Sequence, residues 1–545
     1  EDFHFGRPVR YLLSLLGEDT IPFEIAGIKS GRKTKGHRFL YPEFIEVPRA
    51  QDYFMTLTRK AVIPLPKIRE KRILRQISKV LSEIQKKGFK PQLTEDRQLL
   101  EQTSYLIEHP TVFWGEFDRK YLFLPSFVLK ACLREYQRLF TVQEGEKILP
   151  FFIGVREGGR QNLSEIVENN KRVIHARLND AKFFYEEDRK IPLEKRVSLL
   201  KEVFVQEKLG SYYDKVQRII KLNERIFSEF KVNKDLKKKI ERAAYLCKAD
   251  ILTNMGREFP ELQGTIGKEY ALLWGEDESV ARAIEEHRKP RFAGDTLPSS
   301  TEGAILAILD KIDTLCGAFW AGFIPSGSED PWGLRREAQG IVEILLDREF
   351  DIDLQKLIDE SMRLFSSRSE ESAEKLKEFF KTRIFNTLRE RGISQDKINA
   401  AFGASKLSPA EIAKKAKMLE NVSSRKDFKD EAAAIIRVLN ILKQANKWGI
   451  KIPLNIKEDT LKEKEEIELY RKWIRIKTTA DMLLNQEKYL QAYKKLIQLK
   501  EPIHLFFDKV LVMSEDPALR LNRLALLRQI GSRFLQIGDF TQLQI

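Results

Sequence analysis

From about residue 161 to the end of the chain, apolar residues recur at three- and four-residue steps, and this pattern narrows the fold more than any other feature. Ile166, Val167, Val173, Ile174 and Leu178 open one such stripe, which puts them on a single helical face that has to be buried against a neighbour. Gly and Pro clusters at 260, 290–298, 325–333, 392 and 448–453 cut the pattern into separate helices. A length of 545 residues exceeds one hydrophobic core and, at roughly 100–200 residues per domain, implies about three or four domains.

Residues 1–155 read differently. Short apolar runs at 11–16 and 21–25 are separated by Gly- and Pro-bearing turns, and Pro64 and Pro66 introduce a charged helical stretch at 67–87. The aromatic and β-branched residues at 121–127 and 148–155 predict further strands, ended by Gly158 and Gly159. The fold class expected is therefore multidomain and mainly α, with an α/β fragment at 1–155, a helical domain at 156–344 and a helical region at 345–545. Neither a repeat of fixed period nor a low-complexity tract is present.

Lys and Arg total 96 against 81 Asp and Glu, and the resulting charge of +15 favours a polyanionic partner such as nucleic acid. Cys132, Cys247 and Cys316 lie far apart without a CxxC pair, which suggests neither a disulfide framework nor a thiolate zinc site and points to a reducing compartment. No apolar run reaches the roughly 18–20 residues of a membrane span, and the first residues do not read as a signal peptide, so a cytoplasmic location is expected. The chain carries no GxxxxGK[ST] phosphate loop, HExxH helix, GxSxG elbow or EF-hand loop. Its histidines, His4, His37, His109, His175, His287 and His504, are dispersed, so no metal cluster is expected.

Some constellations remain. In VIHARLNDAKFFYEED (173–188), Arg177, Asp180 and Phe184 lie within helical reach, as in a salt-bridged surface helix. Asp250, Glu258 and Glu261 surround a turn after a small-residue helix, and Asp310 and Asp313 follow on ILDKIDTL. Separated carboxylates of this kind can bind a divalent cation or act as general acid and base; capping and ion pairing explain them equally well.

The strings FGRPVRYLLSLLG, PFEIAGIKSGRKTKGHRFL, VIHARLNDAKFFYEED, VFVQEKLGSYYDKVQRI, CKADILTNMGREFPELQG, FIPSGSEDPWGLRREAQGI and EDPALRLNRLALL, in this order, closely resemble the β subunit of the bacterial heterotetrameric glycyl-tRNA synthetase. The first string looks like an interior part of that family, so the resemblance implies that a further N-terminal portion precedes residue 1. It also implies a ligase component without a catalytic residue of its own, in which glycine, ATP and Mg are used on a separate α subunit, two α chains assemble with two β chains, and the β chain engages glycine-specific tRNA. Residues 1–155 would be related to a domain of the phenylalanyl-tRNA synthetase β chain.

Residues 156–344 resemble an HD-type phosphohydrolase domain, whose metal site needs an adjacent His-Asp pair. Here that pair reads Ala249-Asp250, with Asp310 as the later carboxylate, which implies a degenerate, structural HD-like domain with no metal. The alternative is a metal-dependent phosphohydrolase whose site is rebuilt with His175 or His287; a helical protein-binding scaffold is a third reading.

The end of the chain resembles a DALR-type anticodon-binding module, with Pro517 displacing the first letter of the motif. Arg437, Arg520, Arg523, Arg528 and Arg533 are candidate phosphate or base-stacking contacts, and Asn440 and Asn522 are candidates for base edges. The structural alternative is that Arg520 and Arg523 pair with Glu515 and Asp516 and that the asparagines tie backbone groups together. A second candidate is a basic loop at 29–38, where Lys29, Arg32, Lys33, Lys35 and Arg38 suit a phosphate backbone and Gly31 and Gly36 permit tight turns. Arg335 and Arg336 are expected to fix a helix start.

Overall fold

The computed structural model describes residues 9–327, 329–365 and 370–544. His4, residues 5–8 of the first matching string and Ser328 of the sixth lie outside them. The described chain is mainly α, with its strands concentrated near the N-terminus, and forms two compact units: Glu1–Ile191 with Thr253–Gln263, and Pro192–Leu252 with Gly264–Ile545.

In the first unit, a four-stranded antiparallel sheet runs in the order Gln92–Leu93, Phe140–Glu144, Lys147–Glu157, Pro110–Glu116. Alternation decides its inner face: Phe140 and Val142 on one strand and Leu149, Phe151 and Ile153 on the next point into one core. The helix Pro66–Gln85 closes that core with Ile73, Ile77, Val80 and Ile84, four residues on one helical stripe. Each such side chain, fully buried, contributes roughly 1.5–3 kcal/mol. The unit continues past residue 155 because the helix Leu163–Asp188 buries Ile174, Leu178, Ala181 and Tyr185 and packs on both Ser126–Gln137 and Pro110–Glu116. Arg177 on this helix pairs with Glu258 at 3.1 Å and covers the Tyr136 ring.

Two local expectations are corrected. Residues 121–127, whose aromatics suggest a strand, form the end of a 3-10 turn, Arg119–Phe123, and the start of the helix Ser126–Gln137. The short apolar run is too brief for its period to separate strand from buried helix, and Pro125 followed by Ser126 starts the helix instead. Residues 29–38 are not a loop either: Ile28–Gly31 pairs with Leu12–Leu13 and Glu24–Ile25, and Lys33–Lys35 pairs with Phe44–Glu46. Neither Gly31 nor Gly36 has positive φ; a Cβ on Gly36 would stand 2.9 Å from that of Lys60, so close approach is what that position requires.

The second unit is built around the helix Thr301–Ala321, which is buried almost all round. Tyr212–Ile226, Lys234–Leu246, Glu278–Glu286, Leu334–Asp347, Leu354–Met362 and Glu370–Glu390 surround it. The same unit ends in a bundle of Phe428–Lys447, Lys464–Asn485, Tyr489–Leu496, Lys500–Lys509 and Pro517–Ile537. Trp473, Phe506, Phe534 and Phe540 anchor its core. Gly531 lets two helices meet closely, since a Cβ there would come within 2.7 Å of Leu442. Among the described residues no helix is long and apolar enough to cross a membrane.

Candidate nucleic-acid interface

Asp516 explains the motif at the head of the last helix. Its carboxylate accepts from the Ala518 N–H at 2.8 Å and from the Leu519 N–H, while Pro517 occupies the first helical position, where a missing N–H is harmless. The string is thus a helix start as much as a recognition signature. Arg520 folds back to the Ser514 carbonyl at 3.3 Å.

Further along this helix the proposed contacts turn inward. Arg523 is 5% exposed and Glu466 is wholly buried; the guanidinium donates to that carboxylate at 2.8 Å through Nε and at 2.6 Å through Nη2, and to the Leu511 carbonyl at 2.9 Å. Asn522, also buried, accepts from the Lys457 N–H at 2.7 Å and donates to the Lys457 carbonyl at 2.9 Å, stitching the preceding loop to the helix. Neither side chain is available to RNA: their polar atoms are already satisfied by the protein and shielded from solvent. Glu466, 57 residues away, replaces the local partners Glu515 and Asp516 expected for Arg523.

The other candidates differ in availability. Arg528 is exposed and donates to the Ile452 carbonyl. Arg533 pairs with Asp481 at 2.9 Å and lies over Trp473. Arg437 pairs with Asp508 at 3.1 Å and covers Phe507, and Asn440, one turn on, is exposed. In the first unit, Lys29, Lys33 and Lys35 point to solvent from the edges of their strands, Lys35 over Phe44 and Arg38 over Phe39, whereas Arg32 donates to the Glu18 carbonyl at 2.8 Å. Arg335, expected to secure a helix start, donates to the carbonyls of Gly327 and Glu329, and Asp330 caps that helix through the N–H groups of Leu334 and Arg335.

A basic groove in the same bundle escaped the sequence reading. About 930 Å³ in volume, it opens along Lys464–Asn485 and Tyr489–Leu496 and is lined by Lys462, Lys464, Arg471, Lys472, Arg475 and Lys495. A signal was present: Lys464, Glu468, Arg471 and Arg475 follow three- and four-residue steps, one face of a helix.

The carboxylates considered for a metal are held by lysines. Asp310 lies 2.8 Å from the Lys248 ammonium and 3.1 Å from that of Lys215, while Lys215 and Arg218 also bind Asp313, at 3.3 and 2.6 Å. Burial opposes ionisation of Asp310, but Lys215 and Lys248 outweigh it and hold its carboxyl well below the usual range. His287 is fully buried; its Nδ1 meets the Ile284 carbonyl at 2.6 Å, so Nδ1 carries the proton and Nε2 accepts from Lys248 at 3.0 Å. Burial and then Lys248 push its pKa well below the ordinary histidine value. Asp250 accepts from the Gly264 N–H at 2.5 Å, and burial raises its pKa. His175 instead bonds Asn179 and meets the Tyr121 ring edge-on. Among the described residues no three His, Cys, Asp or Glu side chains form a metal-binding group. With ammonium groups against the very carboxylate a cation would need, these residues do not fit a divalent metal.

Comparison with known proteins agrees with the bundle's architecture. Residues 1–403 match the family model described as glycyl-tRNA synthetase beta subunit, and residues 432–537 match the DALR anticodon binding domain. The chain is 38% identical over 548 residues to the glycine–tRNA ligase beta subunit of Syntrophus aciditrophicus, covering 99% of this chain and 77% of the relative. To the corresponding subunits of Oceanobacillus iheyensis and Halothermothrix orenii it is 37% and 39% identical, over the whole of this chain and 78% of each relative. With family models matching both the mixed and helical regions and the terminal bundle, the chain belongs to the glycyl-tRNA synthetase beta subunit family.

Proposed function

We propose that this chain, a component of a glycine–tRNA ligase assembly, binds glycine-specific tRNA through its C-terminal bundle and positions it for ATP-dependent glycylation on a separate α subunit. The observation that carries this reading is the match of residues 432–537 to an anticodon binding domain, folded here as a helical bundle with a basic surface. In this reading ATP and Mg serve the α subunit, two α chains assemble with two of these, and the assembly works in the cytoplasm. Arg437, Asn440, Arg520, Arg528 and Arg533 remain contacts on the bundle, and Lys29, Arg32, Lys33, Lys35 and Arg38 a phosphate-facing edge in the first unit. The helices around Thr301–Ala321 act as a degenerate HD-like layer with a structural role, since lysines stand against its carboxylates.

The test is binding of a glycine-specific tRNA and of an anticodon-swapped version to the assembly of this chain with its α subunit, followed by glycylation of each. Tighter binding and faster glycylation of the cognate tRNA are expected. Equal affinity for both would remove anticodon engagement by the bundle, and glycylation by the α subunit alone at the full rate would remove the positioning role.

A further inference from the structure

We infer that the groove along Lys464–Asn485 is a track for the sugar–phosphate backbone of RNA, a binding site distinct from the arginines of the motif helix. The inference rests on the reading of the chain as a tRNA-binding subunit and adds the surface that holds the polyanion.

Six cations line the groove against a single carboxylate, Glu468, and among the described residues none of the six charged groups makes an ion pair or donates a hydrogen bond to the protein. Single unpaired cations are ordinary on a protein surface; six gathered on one groove concentrate positive charge that no neighbouring carboxylate offsets. Lys464 and Glu468 stand one helical turn apart and do not pair. Arg471, Lys472 and Arg475 crowd one turn of helix, an arrangement of like charges that repels itself unless an anion covers it.

The shape selects the anion. From Lys464 to Arg475 the stripe extends roughly 16 Å along the helix axis, enough to follow several successive phosphates of a nucleic acid strand. A small anion would need convergent donors around one point, which a stripe of this length does not provide. The lining is charged, with Ile467 and Ile476 between the cations, unlike the mostly apolar walls of a small-molecule pocket. The groove also lies wholly within the region matching the anticodon binding domain. Flexible point charges of this kind grip phosphate without reading bases, so the site supplies affinity and orientation, and discrimination resides elsewhere.

The experiment compares the unaltered assembly with one carrying Lys464→Gln/Arg471→Gln/Arg475→Gln, three exposed positions whose change leaves the core intact. Affinity for the glycine-specific tRNA and its anticodon-swapped version is measured from roughly 50 to 200 mM salt. The expected result is binding at least about tenfold weaker for both RNAs, with the slope of log K against log salt smaller by about 2 to 3. Arg471→Lys/Arg475→Lys, which keeps the charge, should retain the original slope. An unchanged affinity and slope in the triple variant would overturn the groove while leaving tRNA binding by the subunit intact, and is also the outcome if an acidic protein surface occupies it. A loss confined to the cognate RNA would overturn the backbone assignment in favour of base reading. Absence of RNA binding by the unaltered assembly would overturn both the groove and the reading beneath it.

Discussion

Two helices of one bundle carry similar positive charge and dispose of it in opposite ways. On Pro517–Ile537, Arg520, Arg523, Arg528 and Arg533 each end on a carbonyl or carboxylate of the protein. On Lys464–Asn485, the cations facing the groove end on no protein group among the described residues. An arginine already bonded internally has to give up that bond before it reaches a phosphate, whereas an unpaired one exchanges only water and counterions. Partner status, and not the sign of the charge, thus separates cations that reach an anion only by giving up a protein bond from cations that are free for one.

That contrast can be broken by substitution, most severely at Arg523. Arg523→Ala strands the buried Glu466 carboxylate and should destabilise the bundle by about 3–5 kcal/mol, read as a lower denaturation midpoint. Arg523→Met combined with Glu466→Leu should recover most of this, because an apolar pair of similar volume removes both buried charges. If Arg523→Ala keeps its midpoint and weakens tRNA binding instead, the two helices are not different in kind.

A smaller effect is expected where a basic side chain is fully enclosed and held uncharged. His287 is kept neutral by burial and by Lys248, with Arg288 adding to that effect and Asp310 opposing it. Since its folded pKa lies below the ordinary histidine value of about 6.5, the unfolded chain takes up a proton first as pH falls. This contribution to stability is complete above about pH 6.5 and declines as pH falls below that value toward the folded pKa. Thermal unfolding between pH 7.5 and 5.5 should therefore show a falling midpoint that His287→Gln flattens; identical slopes in the two proteins would place the proton elsewhere. The smallest change is expected at Asp516, where Asp516→Ala removes a helix cap worth about 1 kcal/mol and should leave the salt dependence of RNA binding unaltered.

Periodicity made much of the fold legible. The stripe Ile73, Ile77, Val80, Ile84 and that of Ile174, Leu178, Ala181 and Tyr185 are helix faces before they are core. Residues 121–127 were misleading because aromatic composition favours a pleated surface while seven residues hold too little period to exclude a helix. The site was less legible for a different reason. The motif announces where the last helix begins, yet whether Arg523 faces solvent depends on Glu466, 57 residues earlier, and no local pattern encodes that pairing. The groove combines one readable stripe with Lys462 from the preceding loop and Lys495 from the next helix, so its full charge density arises only on folding.

The two lysines against Asp310, Lys215 and Lys248, matter beyond the site itself. A cation carried on a side chain is delivered with every copy of the polypeptide, stays at fixed stoichiometry and cannot be chelated or exchanged. Asp310 therefore draws its counter-charge from translation, with the ammonium groups of Lys215 and Lys248 where an exchangeable ion would otherwise have to stand.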